Sequence, residues 1–178
     1  NIGVKDRINC FKKGHMLALS DFKLLGYVID NIKYGQTERP TMPYTTPSAI
    51  LTHEGVLKML STAVQKATDI GQPQCIVIVD ASGEVSGEIR MTGAKFLARK
   101  SARSKAITAA SIRAPSTNIP DQFHVKIAFA SQGDITSLPG GLPIIVDGQC
   151  IGGIGVGSGS GDQDIEVANA ALAAIDAQ

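Results

Sequence analysis

Positive charge crowds one stretch of this sequence. Lys95, Arg99, Lys100, Arg103 and Lys105 follow one another with no acid between them, and Arg90 and Arg113 flank the run. On a helix, Lys95, Arg99 and Arg103 stand at i, i+4 and i+8 and share a face. Like charges at that spacing repel by about 0.2–0.5 kcal/mol per pair. Three environments offset the repulsion: a bound anion, the acids of another subunit, or bulk water. An anionic small molecule suits the residue types, because the planar guanidinium of Arg90, Arg99 or Arg103 grips a carboxylate through two parallel hydrogen bonds. In a catalytic version of this reading, Lys105 is proton donor or electrophile. The protein is then a small deaminase, hydrolase or tautomerase acting on a carboxylate or dicarboxylate metabolite.

Other chemistry-bearing residues are scattered. Asp80 ends an apolar run and is a candidate general base; the competing role is to organise a turn by accepting backbone N–H groups. His15, His53 and His124 are the three imidazoles. His53 and His124 are candidates for a metal ligand or an acid–base group, against a plain surface role. No HExxH-type pair accompanies them. Glu84 and Glu88 suggest a polar strand face or a weak cation site. Gly140 and Gly141, inside Pro139-Gly-Gly-Leu142, bring backbone N–H groups close to whatever lies above them, either a docked carboxylate or simply a tight turn. Gly152, Gly153, Gly155 and Gly157 imitate a dinucleotide fingerprint. That fingerprint needs a strand–helix crossover, whereas these glycines lie in a hairpin strand, where they signal a close neighbour.

The elements that must position these groups follow from periodicity. Ser20 caps a helix over residues 21–34, closed by Gly35 and followed by a segment with Pro40, Pro43 and Pro47. Thr52 caps a helix over His53–Ile70 with an apolar stripe of Val56, Leu60, Ala63, Val64 and Ala67. Cys75–Val79 and Glu84–Met91 form a hairpin, and the basic run lies on a helix over Lys95–Ile112. Asp121–Ala130 reads as a short helix and Ile135–Leu138 as a brief strand. Asp147-Gly148 turns a second hairpin, Ile144–Val146 with Gln149–Val156. Asp162–Ala177 is the closing helix. Hairpins make antiparallel strands, so the fold class is α+β, with one antiparallel sheet between helices.

The 178 residues suit one domain, or one domain with an extension. With 43% hydrophobic residues, 4% aromatic and no Trp, the core is aliphatic. A net charge of +1 gives no global basic field, so a nucleic-acid partner is not expected. No apolar run approaches the roughly 20 residues of a membrane span, and no membrane partner is expected. Asn1–Arg7 begin no signal-peptide pattern. Cys10, Cys75 and Cys150 form no CxxC pair. The expected compartment is therefore the reducing cytoplasm. Because position 1 is Asn rather than Met, residues missing upstream or a removed leader are both expectations.

Several segments together resemble the GlcG/HbpS-like family. They are Leu51-Thr-His-Glu54, Val77-Ile-Val-Asp-Ala-Ser-Gly83, Arg90-Met-Thr-Gly-Ala94, Lys105-Ala-Ile-Thr-Ala109, Leu138-Pro-Gly-Gly-Leu-Pro-Ile144, Val146-Asp-Gly148 and Ile151-Gly-Gly-Ile-Gly-Val156. Gln163-Asp164 and an Ala-rich helix complete the set. Thr92 and Ile107 stand where the family often has Asp and an aromatic residue. The resemblance divides the chain into an extension, residues 1–47, and a family domain, residues 48–178. It implies a profilin-like fold, a five-stranded antiparallel sheet flanked by helices on both faces, and assembly as a homo-oligomer. It also implies haem or another tetrapyrrole as a possible ligand, its propionates held by the cations and Thr108 near the iron. Two other readings stand beside this binding protein: the carboxylate enzyme, and an oligomeric scaffold with no ligand site.

Overall fold

A run of five β-branched or small apolar residues, Cys75–Val79, has no exposed surface at all. Such a strand must lie inside a sheet covered on both faces. The computed structural model describes Tyr44 and residues 46–177, and that run is β1 (Cys75–Asp80), with β2 (Val85–Arg90), β3 (Gly141–Val146) and β4 (Gln149–Gly157) beside it. The order is β2-β1-β4-β3 and every pairing is antiparallel. α1 (His53–Asp69) precedes β1, α2 (Ala98–Ile112) and α3 (His124–Ala130) lie between β2 and β3, and α4 (Gly161–Ala173) follows β4.

Each face of the sheet has its own core. Val56, Met59, Ala63 and Ala67 of α1 and Val167, Ala168 and Leu172 of α4 pack on Ile76, Ile78, Ile144, Ile154 and Val156. Cys75, Val77 and Val79 meet Ala98, Ala102, Ala106 and Ala110 of α2 on the other side. This second core is thin because α2 lies almost on the strands. A Cβ at Gly153 would strike the Ala106 carbonyl oxygen, and one at Gly155 the Ala102 carbonyl oxygen. The close neighbour of Gly153, Gly155 and Gly157 is therefore α2, whereas Gly152 lies against the Val79 carbonyl of β1.

Local signals explain the element ends. The Thr52 hydroxyl accepts from Gly55 N–H (3.3 Å) at the start of α1. Ser160 and Gln163 form a reciprocal capping box on α4. Asp147 and Gly148 both have positive φ, 49° and 76°, as a two-residue hairpin turn of the primed type requires. The helix expected from Lys95 begins instead at Ala98, and Lys95 N–H, ahead of it, donates to Ser158 Oγ (3.0 Å).

The five-stranded sheet implied by the resemblance is corrected to four strands among the described residues. Ile135–Leu138, expected as a strand, has side-chain partners where a strand needs a backbone ladder. Thr136 N–H donates to Thr108 Oγ1 (2.9 Å) and the Leu138 carbonyl accepts from Ser116 Oγ (2.6 Å). The segment over Asp121–Ala130 is a 3-10 turn, Asp121–Phe123, running into α3. The helix expected over residues 21–34, the proline-rich arm apart from Tyr44, Thr46 and Pro47, Cys10 and His15 lie outside the described residues.

Candidate functional site

The cations of α2 do not act as one cluster; the helix sorts them onto two sides. Arg99, Lys100 and Arg103 are exposed, whereas Lys105 is buried. The exposed three line a groove of about 350 Å³ together with Glu88, Phe96 and Leu97. Arg99 Nε donates to Glu88 Oε1 across the groove (2.9 Å). Lys100 and Arg103 have no carboxylate within ion-pair distance among the described residues. Phe96 and Leu97, in the turn that feeds α2, are 70% and 67% exposed. The groove thus sets two large apolar side chains beside two cations without acidic partners.

Lys105 occupies the inner side of the same helix. Its Nζ donates to Asp164 Oδ2 and to the Val156 carbonyl, both at 2.7 Å. Both side chains of this pair are buried. Asp164 Oδ1 accepts from Gly159 N–H (3.1 Å). With its amide oriented to satisfy both ends, buried Gln74 donates to Asp164 Oδ1 and to the Gly157 carbonyl, each at 2.8 Å. Every carboxylate oxygen is therefore matched, which a buried charge requires. Lys105 and Asp164 also border a second cavity of about 410 Å³, with Lys95, Ser101, Ser158 and Pro139 in its wall.

The remaining candidate residues are spread over the domain. Arg90 is exposed on β2, and its Nε donates to the Ala94 carbonyl (3.2 Å). Thr108 is fully buried; its hydroxyl donates to the Ser104 carbonyl (2.7 Å) and accepts from Thr136 N–H. Gly140 has φ +100°, and a Cβ there would lie 2.6 Å from Asp164 Cβ and 3.3 Å from Lys105 Nζ. Gly140 carbonyl accepts from Val156 N–H (2.9 Å), and Gly141 N–H donates to Ser116 Oγ (3.2 Å). The two glycines let the start of β3 close over Lys105.

Asp80 sits in the turn of the first hairpin. Its Oδ1 accepts from Ser82 Oγ (2.6 Å), Ser82 N–H (2.8 Å) and Glu84 N–H (3.1 Å). The Ser82 hydroxyl, ahead of the backbone donors, holds its carboxyl below the usual aspartate range. His53 lies on the first turn of α1 with its side chain 84% exposed, 3.0 Å from Glu54 Oε1. Among the described residues no group of three His, Cys, Asp or Glu side chains is placed to hold a metal ion. His124 Nε2 lies 2.7 Å from the Ile119 carbonyl oxygen. Cys75 is buried, and burial pushes its thiol up. Among the described residues no helix is long and apolar enough to cross a membrane.

Sequence reasoning passed over three groups that matter here: Phe96 and Leu97, and the acidic partner of Lys105. The signal for the first two was an apolar pair set in a polar run just before a helix. Asp164 stood in a recognised segment, but its link to Lys105 spans 59 positions, which no local spacing reveals.

Comparison with known proteins agrees with this architecture. Residues 51–173 match the family described as haem degrading protein, HbpS-like. The chain is 31% identical over 142 residues to the corrinoid adenosyltransferase PduO of Salmonella typhimurium, covering 77% of this chain and 42% of that protein. The chain therefore spans about two fifths of that relative's length. Protein GlcG of Escherichia coli K12 is 31% identical over 108 residues, covering 60% of this chain and 81% of GlcG. The crystal structure of a PduOC–haem complex superposes with a TM-score of 0.68 at 28% identity, covering 73% of this chain and 98% of that one. The family match spans residues 51–173, well over half of the chain, and leads to one conclusion: the chain belongs to the HbpS-like family.

Proposed function

We propose that this protein binds haem or a related tetrapyrrole in the groove over the start of α2. The observation that carries the reading is the pairing of exposed Phe96 and Leu97 with Lys100 and Arg103, which lack acidic partners among the described residues. A tetrapyrrole offers a broad apolar face and two carboxylates at one edge. Covering a large apolar side chain contributes roughly 1.5–3 kcal/mol, and guanidinium or ammonium groups complement the propionates. The haem complex formed by the PduOC relative supports the same class of ligand. Among the described residues no histidine lines the groove, so ring burial and carboxylate pairing carry this reading, with no axial ligand assigned.

Titrating the full chain with haem and following the Soret band tests it. A saturable shift is expected. Phe96→Ala should weaken binding about tenfold, the equivalent of roughly 1.4 kcal/mol, and Lys100→Glu with Arg103→Glu should weaken it further. No shift with the native protein, or a shift indifferent to both variants, ends the proposal.

A second reading, turnover of a small carboxylate, has one observation in its favour. Lys105 borders the second cavity, and its two hydrogen bonds leave one of three ammonium hydrogens for a substrate oxygen. Product assays with candidate acids decide it: absence of turnover by the native protein removes the enzyme.

A further inference from the structure

The second cavity carries a charge that its own wall does not neutralise. It lies among the segments leading into β3 and out of β4 and the N-terminal halves of α2 and α4, with a volume of about 410 Å³. Two ammonium groups, Lys95 and Lys105, and one carboxylate, Asp164, border it. Asp164 is taken by Lys105 at 2.7 Å. Lys95 has no carboxylate within ion-pair distance among the described residues, so one positive charge is left over. Ala98 and Gly161, the first residues of α2 and α4, also stand in the wall, and a helix start adds partial positive charge.

Two hydrogen-bond donors there are unused. Lys105 is 4% exposed, and its Nζ donates to Asp164 Oδ2 and the Val156 carbonyl. An ammonium carries three hydrogens, and the third has no acceptor among the described residues. Ser158 Oγ accepts from Lys95 N–H (3.0 Å), and its own hydroxyl hydrogen likewise has no acceptor among the described residues. Ser158 has φ 101°, while the glycines on either side, Gly157 and Gly159, do not have positive φ. The one position of this loop that suits glycine therefore carries a hydroxyl, and strain of this kind gathers at ligand sites. Leu97, Leu138 and Pro139 give the cavity an apolar side.

We propose that this cavity binds a short-chain aliphatic monocarboxylate. Its oxygens accept from the ammonium groups of Lys95 and Lys105 and from the Ser158 hydroxyl, and its chain lies against Leu97 and Leu138. One carboxylate matches the one surplus positive charge; a dicarboxylate or a phosphate dianion exceeds it. The proposal deepens the small-carboxylate reading of the same cavity, but it needs binding alone and no turnover. It is independent of the tetrapyrrole groove, with which the cavity shares only Leu97.

Propionate is the probe, titrated into the isotopically labelled full chain and followed by amide NMR. Saturable shifts are expected at Ser158 and Gly159. Lys95→Ala and Ser158→Gly should each weaken binding about tenfold, as befits a hydrogen bond to a charged group. Ser158→Gly also relieves the positive φ, so its melting midpoint should hold while affinity falls. Propionamide, of the same shape without the charge, and inorganic phosphate should both bind more weakly than propionate. No saturable shift with propionate overturns the proposal. So does equal affinity for propionamide or phosphate, or native affinity in both folded variants. A response kept by Lys95→Ala but lost in Lys100→Glu with Arg103→Glu also overturns it, because the anion then sits in the first groove. Product assays on the same acids stay separate: binding without product removes the enzyme and upholds the site.

Discussion

Lys105 and Asp164 show how one residue's role depends on a partner far along the chain. Five cations lie between positions 95 and 105, yet one of them, Lys105, turns inward to a buried carboxylate. Removing one member leaves the other charged, buried and unmatched, which costs about 3–5 kcal/mol. Lys105→Met is therefore expected to lower the melting midpoint severely. Lys105→Met combined with Asp164→Leu should recover much of the loss, because an apolar pair of similar size carries no desolvation penalty. Chemical denaturation of the two singles and the double, read as a mutant cycle, checks this. If the double is as unstable as the sum of the singles, the pair does not act as a unit. Asp80 is simpler. Its three local bonds hold the hairpin turn, the role that stood beside general base in the sequence.

At the scale of elements, α2 and β4 depend on the absence of side chains between them. Gly155 leaves no room: an added Cβ meets the Ala102 carbonyl oxygen and lies 2.6 Å from Ala106 N. Both are backbone atoms, so a rotamer change gives no relief. Gly155→Ala should destabilise by at least the roughly 1–3 kcal/mol typical of overpacking, seen as a lower denaturation midpoint. Gly148, which has nothing within 4 Å of an added Cβ, should respond only through its turn conformation. Much of this layer was legible in the sequence. The β-branched run of β1, the Thr52 cap and the Asp147-Gly148 turn are local signals, and their elements stand where periodicity put them. The direction of α2 was not legible. A helical repeat fixes which residues share a face, but the sheet decides which face is covered. Lys105 was thus grouped with Arg99 and Arg103, although the three end on different sides. Ile135–Leu138 misled for a related reason: its composition suits a strand, but Thr108 and Ser116 take up its backbone groups.

For the whole molecule, a net charge of +1 hides a strong local imbalance. Among the described residues, only Glu88 opposes Arg99, Lys100 and Arg103 in the groove. Screening at about 1 M salt shortens the Debye length to roughly 3 Å. Haem affinity should then fall relative to about 0.1 M salt, while the unfolding midpoint changes little, because the buried Lys105–Asp164 pair is shielded from ions. Parallel Soret titrations and melts at the two salt concentrations measure both. Affinity indifferent to salt would mean that the apolar face alone holds the ligand.

The glycine seam under α2 has an evolutionary corollary. A helix welded to its sheet along bare backbone cannot tilt or slide to suit a new guest, so the platform beneath Phe96, Arg99 and Arg103 has a fixed height and angle. On the tetrapyrrole reading, a change of ligand must come from exchanging outward side chains on an unmoving base. On that reading ligand preference and folding are uncoupled: the upper surface is free to diversify while the weld below tolerates almost nothing.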